Sequence, residues 1–196
     1  MFTKTKVHGR ENIPKEGPFI IITNHFSYVD PIFVIHAVQK PISFLAASDQ
    51  KIKWYFIWAP FIYGFIPTNR KVLAPSTIKH ATRALKDNEI LGIFPEGTST
   101  SSKLRPAKNG AAYLSALTES RMLPIGVFGL EKVWKQLFRG IKPKVTINIG
   151  RSFGPFLLPK NRKKKEGCLL EIGNEAMCRI AALLPKEQRG EFYIKP

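Results

Sequence analysis

Acidic residues, cysteines and long apolar segments are all scarce in this sequence of 196 residues. Its two cysteines, Cys168 and Cys178, are ten positions apart on a predicted helix, which suits neither a local disulfide nor the CxxC spacing of a metal site. The first 18 residues lack the apolar core of a signal peptide. The most aromatic segment has 13 residues without a charge, whereas a helix that spans a bilayer needs about 20. These absences predict a cytoplasmic protein without a transmembrane helix.

The shortage of acidic residues leaves a strong excess of positive charge. Fourteen aspartates and glutamates face 31 lysines and arginines, so the formal net charge is +17. Such an excess indicates an anionic partner, which can be nucleic acid, an anionic membrane surface or a phosphorylated substrate. The basic run 160–165 is predicted to be a loop that is either simply solvated or attracted to anionic lipid. It has no interleaved aromatic residues and no nucleic-acid motif accompanies it, which disfavours a basic module that binds nucleic acid.

The order of the predicted elements indicates an α/β fold. Apolar runs that read as strands alternate with amphipathic segments that read as helices. The predicted strands are 19–22, 42–46, 90–94, 123–129 and 145–150, and the predicted helices are 31–40, 76–88, 110–117 and 166–184. Residues 7–18 are predicted to be an opening strand and turn. This alternation predicts one domain, residues 1–196, with a largely parallel mixed sheet that helices flank on both faces.

The loop between the first core strand and the first helix carries a candidate catalytic pair, His25 and Asp30. Ligands of open α/β sheets bind just beyond the carboxyl ends of the strands, which is where His25 is predicted to lie. A carboxylate on one ring nitrogen would fix the tautomer and leave the other nitrogen free to take a proton. The alternative is structural, with Asp30 capping the helix ahead of Pro31 and His25 as an ordinary loop residue. Because Ser27 suits a helix cap as well as a nucleophile, the activated hydroxyl could belong to a substrate.

Two further segments contain candidate binding residues. Glu96 and Gly97 directly follow the strand 90–94, and Gly97 would permit a tight turn or close approach to a ligand. Arg70 follows a short predicted strand or turn at 66–70 and could grip a phosphate with two hydrogen bonds. Arg70 could equally be a surface charge, and Glu96 could merely satisfy backbone amides around the turn.

The segment Ile52–Ile66 is unusually aromatic, with two tryptophans and two tyrosines beside Lys51 and Lys53. Tryptophan and tyrosine beside lysine suit the headgroup region of a membrane. The alternative is an ordinary buried helix. If the protein works at membranes, the sequence predicts that it lies on them.

Four motifs occur in order: NHFSYVD, GFIPTNR, FPEGT and LPIG. With them the chain resembles the glycerolipid acyltransferase family, which includes the 1-acylglycerol-3-phosphate acyltransferases. The resemblance covers roughly residues 14–154, and a basic loop and C-terminal helix, 155–196, follow it. It implies a single acyltransferase domain with the fold of a glycerol-3-phosphate acyltransferase, in which His25 is the general base and Asp30 orients it.

The resemblance also implies residues that bind the acceptor. Gly64 and Arg70 match the family's acceptor-binding block, Glu96, Gly97 and Thr98 match the block that shapes the acceptor site, and Pro124 matches the fourth block.

This sequence departs from the family at two points. The family often has an arginine straight after EGT, where this sequence has Ser99, and Lys103 or Arg105 could take over its contact with the acceptor phosphate. No segment matches the two-helix membrane anchor of some bacterial members, so residues 52–66 would carry more of the membrane contact.

By resemblance the expected activity moves a fatty acyl group from acyl-CoA or acyl carrier protein to the free hydroxyl of 1-acylglycerol-3-phosphate, which gives phosphatidic acid for phospholipid biosynthesis. The acyl donor is a substrate, and no cofactor or metal is expected. The expected partners are the lysophospholipid acceptor, the thioester donor and an anionic membrane surface, whose cytoplasmic face the protein would occupy peripherally. Ser99 favours an alternative acceptor, another lysophospholipid such as lysophosphatidylcholine. A basic, non-enzymatic module for membrane or nucleic acid is the alternative from another class.

Overall fold

A computed structural model of the protein describes residues 3–47, 64–68, 74–97, 101–131 and 133–192. The described strands are β1 (Lys4–His8), β2 (Phe19–Thr23), β3 (Ile42–Ala47), β4 (Gly64–Thr68), β5 (Ile90–Ile93), β6 (Arg121–Phe128) and β7 (Lys144–Ile149). The described helices are α1 (Asp30–Val38), α2 (Pro75–Lys86), α3 (Gly110–Thr118), α4 (Val133–Leu137) and α5 (Arg162–Ala182). Short 3₁₀ turns lie at Arg10–Asn12 and Lys186–Gln188.

The strands form one sheet in the order β1-β7-β6-β2-β5-β3-β4. The five strands β6, β2, β5, β3 and β4 are mutually parallel. Strand β7 runs antiparallel to β6, and β1 pairs parallel with β7. The sheet is therefore mixed and largely parallel, which confirms the predicted fold class.

Apolar side chains fill both faces of the sheet, because successive residues of a strand point to opposite sides. Every residue of β2 is buried, as expected for a central strand covered on both faces. Ile20 and Ile22 pack with α2, α3 and α5 on one face, whereas Phe19 and Ile21 pack with α1 on the other. Helices thus cover both faces, as the sequence predicts.

Two helix starts differ from the predictions. Helix α1 begins at Asp30 itself, and Val29 precedes it as the N-cap residue, so the prediction of Asp30 as N-cap was wrong. Helix α5 begins at Arg162, so most of the basic run that was predicted to be a loop forms its first turn. The Asn161 side chain accepts a hydrogen bond from the Lys164 backbone N–H and caps this helix. Asparagine is a favoured N-cap, and lysine and arginine are good helix formers, which explains the earlier start.

The membrane predictions are tested only in part. In the ranges that the structure describes, every helix is too short or too polar to cross a bilayer. Most of the aromatic segment 52–66 lies outside the described residues, and only its last residues appear, as the start of β4. Its predicted interfacial contact stays a prediction.

Candidate active site

Three neighbouring parallel strands bring their carboxyl ends to one edge of the sheet. Strand β2 lies between β5 and β6, with Ile22 opposite Ile93 on one side and Pro124 on the other. The loop that carries His25 follows β2, and the turn that carries Glu96 follows β5. Residues about seventy positions apart in the chain therefore meet at this edge, which we call the catalytic edge.

The predicted pair of histidine and aspartate is formed. The Nδ1 atom of His25 lies 3.1 Å from Oδ2 of Asp30. The same oxygen accepts the Ser27 backbone N–H at 2.7 Å, so a backbone donor and the imidazole converge on it. The Asp30 side chain is 1% exposed and that of His25 is 17% exposed. A carboxylate at Nδ1 favours the tautomer with its proton there, which leaves Nε2 as the basic nitrogen.

An aromatic side chain fixes the plane of the imidazole. The His25 ring stacks on Phe94, with centroids 4.1 Å apart and an interplanar angle of 29°. Phe94 stacks in turn on Phe44, with centroids 5.7 Å apart. The ring of His25 is thus held by a hydrogen bond at its edge and by an apolar surface at its face.

Glu96 links the two loops that form the site. Its Oε1 accepts the backbone N–H of His25 at 3.0 Å, and its Oε2 accepts the backbone N–H of Arg105 at 3.2 Å. The guanidinium Nε of Arg105 lies 3.6 Å from Oε2. This arrangement matches the structural alternative for Glu96, since its carboxylate satisfies backbone amides around the turn. Its predicted contact with the acceptor stays a prediction.

Burial changes the acidity of both carboxylates. Desolvation raises the pKa of Asp30 above its usual value of 3.8, and the hydrogen bond and charge of His25 oppose this rise. Desolvation likewise raises the pKa of Glu96 above 4.5, against the opposing hydrogen bond from the His25 backbone and the charge of Arg105. Each ionised carboxylate is held at an energetic cost, which is a frequent feature of functional sites.

Asn24 is a supporting residue that sequence reasoning missed. Its amide is fully buried, donates to the Val127 carbonyl at 2.7 Å and accepts the Val127 backbone N–H at 2.8 Å. The start of the His25 loop is thereby fastened to β6. The available signal was a polar amide directly after an apolar strand, where burial demands hydrogen-bonded partners.

Lys108 is a second residue that the site prediction omitted. The backbone of Gly97 has a φ of +71°, and a Cβ placed there would lie 3.0 Å from the Lys108 Nζ. The backbone N–H of Lys108 also donates to the Pro95 carbonyl at 2.9 Å. A cationic side chain therefore covers the glycine turn beside Glu96. The contact of Lys108 with this turn depends on the fold, and no local sequence pattern indicates it.

The other predicted binding residues are placed as follows. Lys103 is exposed, and its backbone carbonyl accepts a hydrogen bond from the Ser101 hydroxyl at 2.8 Å. Gly64 begins β4 and therefore lies at the amino end of that strand, and its predicted acceptor contact stays a prediction. Arg70 and Thr98 lie outside the described residues, and their roles stay predictions.

Comparisons with known proteins identify the family of the chain. Residues 4–127 match the protein family described as Acyltransferase. A 1-acyl-sn-glycerol-3-phosphate acyltransferase of Bacillus subtilis (strain 168) is 33% identical over 144 residues, which cover 72% of this chain and 71% of that protein. The protein of the same name from Borreliella burgdorferi is 30% identical over 129 residues, and the match covers 64% of this chain and 51% of that protein.

A solved structure supports the fold. The crystal structure titled as the 1-acyl-sn-glycerophosphate (LPA) acyltransferase, PlsC, from Thermotoga maritima superposes with a TM-score of 0.66 at 21% sequence identity. The match covers 99% of this chain and 75% of that one. With a family match over most of its length and a shared fold, this chain is an enzyme of the acyltransferase family.

Proposed function

We propose that this acyltransferase moves a fatty acyl group from a thioester to the free hydroxyl of 1-acylglycerol-3-phosphate, which gives phosphatidic acid. The observation that carries the proposal is the partly exposed His25 ring, whose Nδ1 lies 3.1 Å from the buried Asp30 carboxylate at the catalytic edge. The names of the Bacillus subtilis and Borreliella burgdorferi relatives support this acceptor.

The chemistry needs a base and no enzyme nucleophile. A thioester is already activated, whereas an alcohol is a poor nucleophile until its proton is removed. In the proposed step, His25 Nε2 takes the proton from the acceptor hydroxyl as its oxygen attacks the thioester carbonyl. The tetrahedral intermediate then expels the thiolate, which takes the proton from the imidazolium. The products are the ester and the free thiol, and a general base of this kind typically supplies about 10²–10⁴-fold in rate.

The surrounding residues support this base. Asp30 holds the proton on Nδ1 and stabilises the imidazolium that forms. Phe94 sets the plane of the ring, and Glu96 fixes the backbone of His25 against the turn after β5. Two of these contacts restrain the imidazole and the third its backbone, as expected for a group that must meet a reacting atom within a few tenths of an ångström.

Cationic residues near the turn supply the proposed site for the acceptor phosphate. Lys108 covers the Gly97 turn, and Arg105 approaches the same turn through Glu96. We propose that Lys108 acts together with Arg70 on the phosphate, so that the missing arginine at Ser99 is compensated. A phosphomonoester approaches a charge of −2 near neutral pH. The loss of Lys108 or Arg70 should therefore weaken the binding of a phosphomonoester more than the binding of a phosphodiester.

Substitution of His25 tests the base directly. We expect His25→Ala to lose about 10²–10⁴-fold in kcat with an unchanged circular dichroism spectrum. His80→Ala is the matched control, because His80 is exposed on α2, outside the loops that form the site. Near wild-type turnover of His25→Ala would refute the proposed role.

A panel of acceptors tests the phosphate site and the alternative substrate. One acyl-CoA is offered with lysophosphatidate, lysophosphatidylglycerol and lysophosphatidylcholine, and acyl carrier protein thioester replaces acyl-CoA in a second series. We expect Lys108→Ala and Arg70→Ala to raise KM for lysophosphatidate and to leave KM for lysophosphatidylcholine nearly unchanged. A wild-type preference for lysophosphatidylcholine would instead support the acceptor that Ser99 favours.

We further propose that the enzyme acts peripherally at the cytoplasmic face of a membrane. Its acceptor is an amphiphile, and the net charge of +17 suits an anionic lipid surface. Cell fractionation with a salt wash tests the location, since a peripheral protein leaves the membrane fraction at high ionic strength.

A further inference from the structure

Three large apolar side chains are displayed to solvent on α4 and just after it. Trp134 is 53% exposed, Phe138 is 88% exposed and Ile141 is 53% exposed. We call these three residues the apolar tip. Isolated exposed apolar residues are common, but a group within eight positions of the chain indicates an interaction surface.

The apolar tip is presented by an ordered element. Val133 is buried in the core, together with the preceding Leu130, and Leu137 packs against the same cluster. After the helix, the backbone N–H of Ile141 donates to the Gln136 carbonyl at 2.9 Å and that of Gly140 donates to the Leu137 carbonyl at 3.0 Å. With Gly140 at a φ of +68°, these bonds form a Schellman turn, which ends helix α4. The buried face of the helix anchors it to the core.

Basic residues alternate with the apolar tip. Lys135, Arg139 and Lys142 are all exposed within the same short segment. No aspartate or glutamate occurs in the sequence between Glu131 and Glu166. A segment in which exposed aromatic and aliphatic side chains alternate with cations has the composition that binds at the interface of an anionic bilayer.

The apolar tip lies at the catalytic edge. Strand β6 runs parallel to β2, and the Asn24 side chain at the end of β2 bonds to Val127 near the end of β6. Helix α4 follows the carboxyl end of β6, so the chain leaves the sheet on the same side as the His25 loop. Tyr28, within that loop, is also an exposed aromatic side chain. A lipid surface that meets the tip would therefore face the site.

We propose that the apolar tip, with Lys135, Arg139 and Lys142, docks the enzyme on an anionic phospholipid bilayer and orients the catalytic edge toward it. The proposal names the surface through which the proposed function reaches its lipid acceptor, and in that respect it rests on that function. The apolar side chains would enter the headgroup region while the cations contact lipid phosphates.

The composition of this surface favours a bilayer over other occupants. A stable protein interface buries about 800 Å² on each partner, which three side chains on a short helix do not supply. A second copy of this chain would also bring a net charge of +17 against a surface that is itself basic. Nucleic acid would be attracted by the charges, but it offers no apolar layer for Ile141 to enter.

Vesicle flotation tests the proposal with the full chain. The vesicles contain phosphatidylcholine alone or phosphatidylcholine with about a third of phosphatidylglycerol as the probe of charge. We expect Trp134→Ser/Phe138→Ser/Ile141→Ser to lower the partition coefficient on anionic vesicles at least tenfold. Lys135→Gln/Arg139→Gln/Lys142→Gln should lower it by about a hundredfold at low salt, since each basic residue near such a surface contributes about fivefold.

A matched control uses exposed apolar residues elsewhere. Leu157 and Leu170 are exposed on the segment after β7 and on α5, and Leu157→Ser/Leu170→Ser should leave partition unchanged. An equal loss in this control, or no loss in the tip variant, would overturn the proposal. The proposal would also be overturned if the wild-type chain forms a concentration-dependent dimer that the tip variant does not form. The same holds if the wild-type chain prefers RNA to vesicles and the tip variant loses its binding to RNA.

Activity measurements separate this proposal from the proposed function. With a short-chain lysophosphatidate below its critical micelle concentration, the tip variant should match wild type, whereas transfer to acceptor embedded in anionic vesicles should fall at least tenfold. If the chain transfers no acyl group to any acceptor but still requires the tip for vesicle binding, the proposed function fails and the docking surface stands. If transfer occurs and vesicle binding ignores the tip, only the docking surface fails.

Discussion

Asp30→Asn removes the charge beside His25 while it keeps the shape of the side chain. Two donors converge on one oxygen of Asp30, the Ser27 backbone N–H at 2.7 Å and His25 Nδ1 at 3.1 Å. The other oxygen is buried and makes no hydrogen bond within the described part of the chain. The amide oxygen of the new side chain should therefore take the position of the bonded oxygen, because an NH₂ group there would face the Ser27 donor. The variant should keep the correct tautomer of His25 and lose only the stabilisation of the imidazolium.

The size of the loss follows from this reasoning. A hydrogen bond to a charged group contributes about 1.5–3 kcal/mol net, which corresponds to roughly a tenfold to hundredfold change in rate. We expect kcat to fall by that amount in Asp30→Asn. The loss in His25→Ala, about 10²–10⁴-fold, should be larger. The turnover of Asp30→Ala should lie below that of Asp30→Asn, because alanine also leaves the Ser27 N–H without its partner.

The stability of the same variant should depend on pH in a defined direction. Since burial raises the pKa of Asp30 above 3.8, the folded state binds this proton more tightly than the unfolded state does. Wild type therefore loses stability as the pH rises from the ordinary carboxyl value through the raised pKa, and Asp30→Asn does not. Across that pH range the unfolding free energy of Asp30→Asn should therefore rise relative to that of wild type, and above the raised pKa the difference between the two proteins should stay constant.

Two assays check the prediction. Thiol release from an acyl thioester gives kcat for wild type, Asp30→Asn and His25→Ala, and urea denaturation from mildly acidic to neutral pH gives the stabilities. Turnover of Asp30→Asn within about twofold of wild type would mean that Asp30 does not assist the base, since even the weakest charged hydrogen bond predicts about tenfold. A loss as deep as that of His25→Ala would mean that the tautomer has reversed, which would refute the assigned orientation of the amide.

Three further substitutions, with Gly17→Ala as a control, test the supports of the site. The Glu96→Gln side chain must turn its NH₂ group toward one of two backbone donors. Urea denaturation should therefore show a loss of about 1–3 kcal/mol in unfolding free energy. Stability equal to that of wild type would contradict the role of Glu96 as an acceptor of two hydrogen bonds. Gly97→Ala forces a φ of +71° on alanine and displaces the Lys108 amine, so KM for the acceptor should rise. Its stability should fall by about 1 kcal/mol. Gly17→Ala, at a φ of +85° with open surroundings, should lose stability alone, and an equal rise in KM there would exclude the Lys108 explanation. Asn24→Ala leaves two buried polar groups without partners and should destabilise the fold by about 2 kcal/mol or more, which thermal unfolding measures.

The elements closest to the site were predictable because their signals are local. The unbroken apolar run of β2 marks a buried strand, and the spacing of His25 and Asp30 lets one short loop fold the imidazole onto the carboxylate. The contact between them is present at 3.1 Å. The amphipathic patterns of α2 and α5 likewise predicted both helices, apart from the start of α5, where Asn161 caps the helix ahead of the predicted first residue.

The contacts that assemble the site were not predictable in the same way. Glu96 could be placed after a strand, but nothing in its neighbourhood indicates that it accepts the backbone N–H of His25, 71 positions away. Asn24 reaches Val127 across 103 positions, and the antiparallel direction of β7 follows from a connection through α4 that the strand pattern does not reveal. The exposed face of α4 was not recognised either, because a segment of five helical residues has too little periodicity to separate its two faces.

The amino-acid sequence alone determined the alternation of strands and helices, the excess of positive charge and the short loop in which an acid can reach an imidazole, since each depends on composition or on residues near one another in the chain. The tertiary structure alone decided which strands are neighbours, and so which loops share an edge. That choice brought Glu96 to His25, Lys108 over Gly97 and Trp134 to the side of the sheet where the base lies. Such pairings depend on the burial of apolar faces throughout the domain, a property that no local pattern contains.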